Sequence, residues 1–331
     1  MKKCNSAETV ISLKDVKDGD IVLYELKEEP SFVKPIKDNL ETNFYVLIDK
    51  LICFAEGSHI THAAMVYDSD KVVEATIPAV RIGSHIANDD YRLHIRRVRN
   101  GIDGSVVLKY LPQTIPEIEA DGESYAMMMA VVAGVSCLVK AKVRENENLG
   151  ALATIIRYVL YKVASYLDNK KLPYSNGDDN WFCSQLVYYT YTTAAAKIPE
   201  PAFDIALPDT STPIADTLIH KLVSRTNARF LGDESVLLKK PAAEDEVYAL
   251  AEDFFNPDKS GEKKNAVCGE KAGSLSAEDA SFFLTFINKL CNNKFDFSDI
   301  EKELIKFQSA FVMPSDLRNC LDEGYLVSDE E

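Results

Sequence analysis

The sequence has no hydrophobic run long enough to cross a membrane and no cysteine pair spaced as Cys-x-x-Cys. Its longest apolar stretch, 125–139, falls short of the roughly 20 residues that a membrane-spanning helix needs. We therefore predict a buried helix there and no transmembrane segment. The seven cysteines are scattered and odd in number, which argues against a disulfide framework and for a reducing compartment.

A secretory leader is also missing from the sequence pattern. Lys2 and Lys3 resemble the basic start of a signal peptide, but no apolar segment of about 7 to 15 residues follows them. We expect a cytoplasmic protein. The alternative is secretion by a signal-less route, as for a bacterial protein delivered into a host cell.

Positive charge is scarce, because 37 Lys and Arg face 52 Asp and Glu and the net charge is −15. This balance opposes the phosphate contacts that dominate nucleic-acid affinity, so no nucleic acid is expected as a partner. Residues 241–331 hold 20 acidic and 9 basic residues. We interpret this segment as an acidic C-terminal region that begins after Lys240, and as a candidate surface for a protein partner.

Residue sets with the spacing of a metal site are lacking as well. His59 and His62 would point to opposite faces of a strand, and no Cys or Asp cluster completes a zinc site around them. Residues 256–267 resemble a calcium loop at Asp258, but Val267 stands where the bidentate glutamate is needed. The sequence therefore predicts no metal and no cofactor.

Short apolar and β-branched runs, typical of strands, fill the first hundred residues. The predicted strands are 20–26, a hairpin across 61–76, 79–86 and 91–99. The run 44–54 fits either a strand or a short helix. About five strands are expected before residue 100.

Helical periodicity dominates the rest of the chain. The predicted helices are 123–142, 148–168, one that starts at Cys183, 244–255, 276–290 and 297–311. The fold class is therefore α+β, with an antiparallel sheet packed against the helix that begins at Cys183. We expect a domain at 10–235 with a helical insertion at about 101–168, and a helical C-terminal region at 241–331.

Cys183 is the candidate nucleophile. It stands at the start of a predicted helix, where the helix dipole and unpaired backbone N–H groups stabilise a thiolate. Such a thiol also needs an imidazole within hydrogen-bonding distance and a group that orients the imidazole. An isolated cysteine at a helix start is more often a packing residue.

His62 and Glu74 are the candidate base and its orienting carboxylate. They lie on the two strands of the predicted hairpin, twelve residues apart. Because side chains alternate along a strand, the two share a face only if the hairpin has an even register or contains a bulge. A bare strand histidine is more often structural, so this condition is a direct test.

Several short motifs together resemble the circularly permuted papain-like enzymes, in particular the YiiX-like branch of the NlpC-type superfamily. The motifs are Gly19-Asp20-Ile21-Val22, Ser58–Val66 (SHITHAAMV), Val73-Glu74-Ala75, Leu172-Pro173-Tyr174 and Phe182–Val187 (FCSQLV). As in that group, the histidine strand precedes the nucleophile helix. The match covers about 10–100 and 165–210.

The resemblance implies a permuted papain-like fold and a thiol hydrolase that cleaves an amide or other acyl bond of a peptide or lipid. It assigns Cys183 as nucleophile, His62 as base and acid, and Glu74 as the residue that orients the imidazole. The Cys183 N–H is the expected oxyanion donor, and Tyr24 is a candidate for the second.

Two other functions remain open on the sequence alone. Lecithin:retinol acyltransferase-like proteins share the permuted order, and the apolar helices at 123–168 could hold a fatty chain, so an acyltransferase or lipid-directed acylhydrolase is the first alternative. A catalytically idle binding module is the second. An apolar groove leading to Cys183 would favour the first alternative.

Four arginines form the one basic cluster of the sequence: Arg92, Arg96, Arg97 and Arg99. A run of this kind is usually a solvated strand face, and we predict one here. Contact with phospholipid head groups or with an acidic partner is the alternative.

Overall fold

The computed structural model describes most of the chain and shows the α+β fold that the sequence predicts. The described residues are 9–28, 30–32, 40–68, 70–76, 79–86, 89–99, 101–112, 122–144, 148–174, 183–199, 203–205, 212–226, 234–256, 275–310, 312–321 and 323–328. The calcium-loop-like segment therefore lies outside them, apart from its first residue.

The described strands form one seven-stranded sheet. They are β1 (Thr9–Ile11), β2 (Ile21–Leu26), β3 (Ile60–Tyr67), β4 (Lys71–Thr76), β5 (Ala79–His85), β6 (Tyr91–Arg97) and β7 (Glu323–Val327). Their order across the sheet is β1-β7-β6-β2-β3-β4-β5. All neighbours are antiparallel except β1 and β7, so the sheet is mixed and not purely antiparallel as predicted.

The described helices are α1 (Leu40–Glu56), α2 (Gly122–Val139), α3 (Leu149–Lys170), α4 (Cys183–Lys197), α5 (Leu218–Thr226), α6 (Glu244–Phe255), α7 (Ala277–Leu290) and α8 (Ile300–Ala310). They include the six that the sequence predicts, together with α1 and with α5, which was not predicted. The ambiguous run 44–54 belongs to α1. No helix in the described part of the chain is long and apolar enough to cross a membrane.

The central strands of the sheet are buried on both faces, which explains their continuous apolar runs. On one face, Leu23 and Ala63 pack with Leu186 of α4. On the other face, Val22 packs with Ala64. Burial of a leucine such as Leu23 contributes roughly 1.5 to 3 kcal/mol, so this packing holds α4 firmly against the strands.

A second core lies within the helical layer, where α1, α2, α3, α5, α6 and α7 meet. The apolar positions of α3, such as Leu152, Ile156 and Val159, are fully buried there. Helix α2 approaches α3 closely at Gly134, where an added Cβ would lie 2.7 Å from Cδ2 of Leu160. The glycine therefore sets how closely these two helices pack.

The acidic C-terminal region contains helices at the three predicted places and also a strand that the sequence did not predict. Helix α7 begins with the expected capping box, in which the Ser276 side chain accepts from the backbone N–H of Asp279. Strand β7 then inserts between β1 and β6. The end of the chain thus completes the same sheet that carries the hairpin.

The prediction of a solvated arginine face is wrong for Arg96 and Arg97. Arg96 is buried and donates to the backbone oxygens of Arg318 and Ile95. The guanidinium of Arg97 lies 2.6 Å from the buried carboxylate of Asp20. Arg96 therefore links β6 to the backbone at Arg318, and Arg97 links β6 to Asp20. Both contacts meet the need of a guanidinium for polar partners when water is excluded.

Candidate active site

Cys183 is the first residue of α4 and is 9% exposed. Helix α4 lies across the hairpin because its apolar face, including Leu186 and Val187, is buried against the strands. This packing directs the positive end of the helix, with its unpaired N–H groups, toward β3 and β4. The sequence prediction that a helix starts at Cys183 is confirmed.

The register of the hairpin places His62 and Glu74 on one face. Val66 pairs with Val72, and opposite residues of an antiparallel pair share a face. Because both strands alternate with period two, the even-numbered His62 and Glu74 lie on that same face. Nε2 of His62 is 2.7 Å from Oε2 of Glu74, so the two side chains that the sequence paired do meet.

Strands β3 and β4 separate next to this pair. Their ladder ends at Met65 and Val73, while β4 continues to Thr76 paired with β5. Both backbone groups of Val66 point toward the start of β2. The Val66 N–H donates to the backbone oxygen of Asp20 at 2.8 Å, and the Val66 oxygen accepts from the backbone N–H of Gly19 at 2.9 Å.

Strand alternation then directs the N–H of Ala63 toward the opening between β3 and β4. The sulfur of Cys183 occupies that opening and accepts a hydrogen bond from the Ala63 N–H. It also accepts one from the N–H of Ser184, in the first turn of α4. The sulfur therefore takes over a backbone donor that the sheet leaves unpaired.

These contacts lower the pKa of the Cys183 thiol. Burial acts in the opposite direction, but the neighbouring His62 charge, the hydrogen bond to its ring and the two backbone N–H groups outweigh it. At Cys320 the balance is the opposite: burial raises the pKa of that thiol to about 12 despite the nearby charge of Arg96. The surroundings of Cys183 thus favour a thiolate.

The pKa of His62 moves upward to about 10. Burial alone would lower it, but the charge of the Cys183 sulfur and the hydrogen bonds to Cys183 and Glu74 outweigh burial. Nε2 is already bound by Glu74. Nδ1 is therefore the nitrogen available to the sulfur, and the pair favours thiolate and imidazolium.

Tyr24 lies directly opposite His62 across the ladder of β2 and β3, with ring centroids 5.3 Å apart. Its side chain is almost buried, and burial followed by the charge of Glu74 raises its pKa. The phenol therefore stays protonated at neutral pH and keeps its O–H as a donor. No hydrogen bond from this hydroxyl to another described residue competes for it.

The sequence reasoning missed the two backbone donors, from Ala63 and Ser184. Neither has a signal in side-chain chemistry, because both depend on where β3 and β4 part. It also missed a second histidine–carboxylate pair: Nε2 of the buried His94 is 2.7 Å from Oε2 of Glu25. This pair links β6 to β2, its neighbour in the sheet.

Metal ligation finds no support in the described residues, where no group of three or more His, Cys, Asp or Glu could hold an ion. Comparison of the chain with protein-family models, with curated proteins and with solved structures gives no match. The geometry around Cys183 is therefore the basis on which a function can be inferred.

Proposed function

We propose that this protein is a cysteine-dependent hydrolase that cleaves an amide or other acyl bond of a peptide or lipid through a thioester on Cys183. The observation that carries the proposal is the continuous contact from the Cys183 sulfur to the His62 ring and from that ring to Glu74. A nucleophile, a base and an orienting group in this order are what acyl transfer requires. The resemblance to permuted papain-like enzymes leads to the same roles.

In the first half-reaction the Cys183 thiolate attacks the acyl carbon, and the carbonyl electron pair moves to oxygen. The tetrahedral intermediate collapses when the leaving nitrogen or oxygen takes a proton from the His62 imidazolium. A thioester and a neutral imidazole remain. In the second half-reaction His62 removes a proton from water, the water oxygen attacks the thioester, and the thiolate leaves.

The oxyanion of each intermediate needs donors that are already in place. The backbone N–H of Cys183 is one candidate, because the first N–H groups of a helix have no partner within the helix. The Tyr24 hydroxyl is the second, since the ring lies against His62 and stays protonated. These assignments extend the roles that the sequence suggested.

The two alternatives receive less support from the same residues. An idle binding module has no need of a buried sulfur that accepts two N–H groups beside an imidazolium. Burying charged groups costs free energy even when they are paired. The transferase alternative relied on apolar helices at 123–168, but in the described residues their apolar faces form the helical core. The described cysteines are free thiols, which supports a reducing, cytoplasmic location.

Alkylation of the purified protein tests the proposal. Iodoacetamide at limiting concentration and neutral pH should label Cys183 first, as read by mass spectrometry of its peptide. His62→Ala should slow this labelling about tenfold or more, because the thiolate loses its counter-charge. Cys291→Ala is the matched control, since burial raises the pKa of that thiol to about 11; its loss should leave Cys183 labelling unchanged.

Incubation with an acyl-probe library, including amide, ester and long-chain acyl compounds, then identifies the reaction. A transient acyl adduct on Cys183 that water resolves supports the hydrolase. A fatty-acyl adduct that only an added amine or alcohol resolves would instead support the transferase. Labelling of Cys183 that His62→Ala does not alter, with no acyl turnover, would overturn both.

A further inference from the structure

The first turn of α4 is held from outside the hairpin by residues 312–321, which we call the C-terminal clamp. The hydroxyl of Ser184, 1% exposed, donates to the backbone oxygen of Val312. This bond joins the residue after the nucleophile to a segment 128 positions later in the chain.

The clamp is itself firmly anchored. Its residues Leu317 and Cys320 are buried in the same core as Leu186 of α4. The backbone N–H of Ser315 donates to Oε2 of Glu56 at 2.8 Å. A segment held in this way is a rigid support for whatever it contacts.

Asp316 links the clamp to the helical layer. Its Oδ2 accepts from the N–H of Met313 at 2.8 Å and from Nζ of Lys140 at 2.7 Å. The carboxylate is buried together with the ammonium group, so removal of either would leave an unpaired buried charge. The Val312 oxygen is thereby held in a fixed position beside α4.

Ser184 therefore makes two contacts with different consequences. Its hydroxyl binds the clamp, and its backbone N–H donates to the sulfur of Cys183. The first turn of a helix lacks intrahelical acceptors for its N–H groups and is the part most prone to fray. Fixing the Ser184 side chain also fixes the direction in which its N–H points.

We propose that Ser184 is a positioning residue, whose hydroxyl bond to Val312 of the C-terminal clamp aims the first turn of α4 at the Cys183 sulfur. This inference rests on the proposed role of Cys183 as nucleophile. It gives the end of the acidic C-terminal region a function within the active site: the region supports the nucleophile helix from behind.

The experiment measures the rate of Cys183 alkylation against pH in full-length wild type and in Ser184→Ala. We expect the midpoint of the Ser184→Ala profile to lie about half to one pH unit higher, and the rate at neutral pH to fall about three- to tenfold. Ser184→Thr retains the hydroxyl and should restore most of the rate.

Thr190→Ala is the matched control. Thr190 is also a buried hydroxyl residue of α4, but it donates within the helix to the oxygen of Leu186 at 2.8 Å. Its loss should lower thermal stability without moving the alkylation profile. Equal shifts in Ser184→Ala and Thr190→Ala would mean that Ser184 is merely structural, and would overturn the proposal.

A folded Ser184→Ala protein with the wild-type profile would also overturn it. Should that variant not fold, Leu317→Ala decides, because it loosens the clamp while every residue of α4 is unchanged; an unchanged alkylation profile in Leu317→Ala would overturn the inference. Failure of the proposed function looks different: wild-type Cys183 would then show the profile of an ordinary thiol, indifferent to His62→Ala.

Discussion

Nε2 of His62 and Oε2 of Glu74 lie 2.7 Å apart across two neighbouring strands whose ladder has already ended. The contact is diagonal, since the register of Met65 with Val73, continued by one residue, would place Glu74 opposite Ala64 and not opposite His62. Because the carboxylate binds one ring nitrogen, the other is left for the sulfur. The pair thus fixes the orientation of the ring and leaves its other nitrogen for the Cys183 sulfur.

Glu74→Gln should retain the hydrogen bond but remove the charge. Both the hydrogen bond and the charge of Glu74 raise the pKa of His62, so the variant should have a less basic imidazole and a less stable thiolate. We expect acyl turnover to fall about tenfold or more. Steady-state kinetics with a substrate from the probe library measure it, and wild-type rates in the variant would contradict the role of Glu74.

The pH dependence should separate alkylation from turnover. Alkylation needs the thiolate alone, so it should rise through the lowered pKa of Cys183 and stay high above it. Turnover also needs the His62 imidazolium as acid, so it should fall again as pH passes the His62 pKa of about 10. A turnover profile that stays flat through pH 10 to 11 would remove His62 as the acid.

Much of the site was predictable because it depends on local pattern. The helix start at Cys183 follows from periodicity, and the shared face of His62 and Glu74 follows from strand parity once the register is even. What could not be predicted is the depth of the split between β3 and β4. That split decides whether the N–H of Ala63 binds a strand or the sulfur.

The C-terminal contribution was hidden for a different reason. Strand β7 is five residues long and pairs with strands more than two hundred positions away. Its sequence lies in an acidic segment whose local pattern is mostly helical. Pairing of this kind depends on tertiary packing and not on propensity, and the same is true of Arg96, which is buried beside the clamp residue Arg318.

Tyr24→Phe tests the second oxyanion donor. The change removes only the hydroxyl, while the ring remains against His62 and Tyr91. We expect turnover to fall roughly ten- to a thousandfold, while the alkylation rate of Cys183 stays at the wild-type level. Reduced alkylation with unchanged turnover would be the opposite result and would give Tyr24 a packing role instead.

Glu56 should make the stability of the protein fall as pH rises. Burial raises its pKa from 4.5 to about 7, and one carboxylate oxygen lacks a partner among the described residues. The folded state thus binds the proton more tightly than the unfolded state, so this contribution is complete below pH 4.5 and is lost as pH rises through 7.

Glu56→Gln has no proton to lose and can still accept from Ser315. Its free energy of unfolding, measured by urea denaturation, should match wild type near pH 4.5 and exceed it near pH 8 by on the order of 3 kcal/mol. Glu301→Gln, at an exposed position, should show no such pH-dependent difference from wild type. A difference that does not change with pH for Glu56→Gln would contradict the prediction.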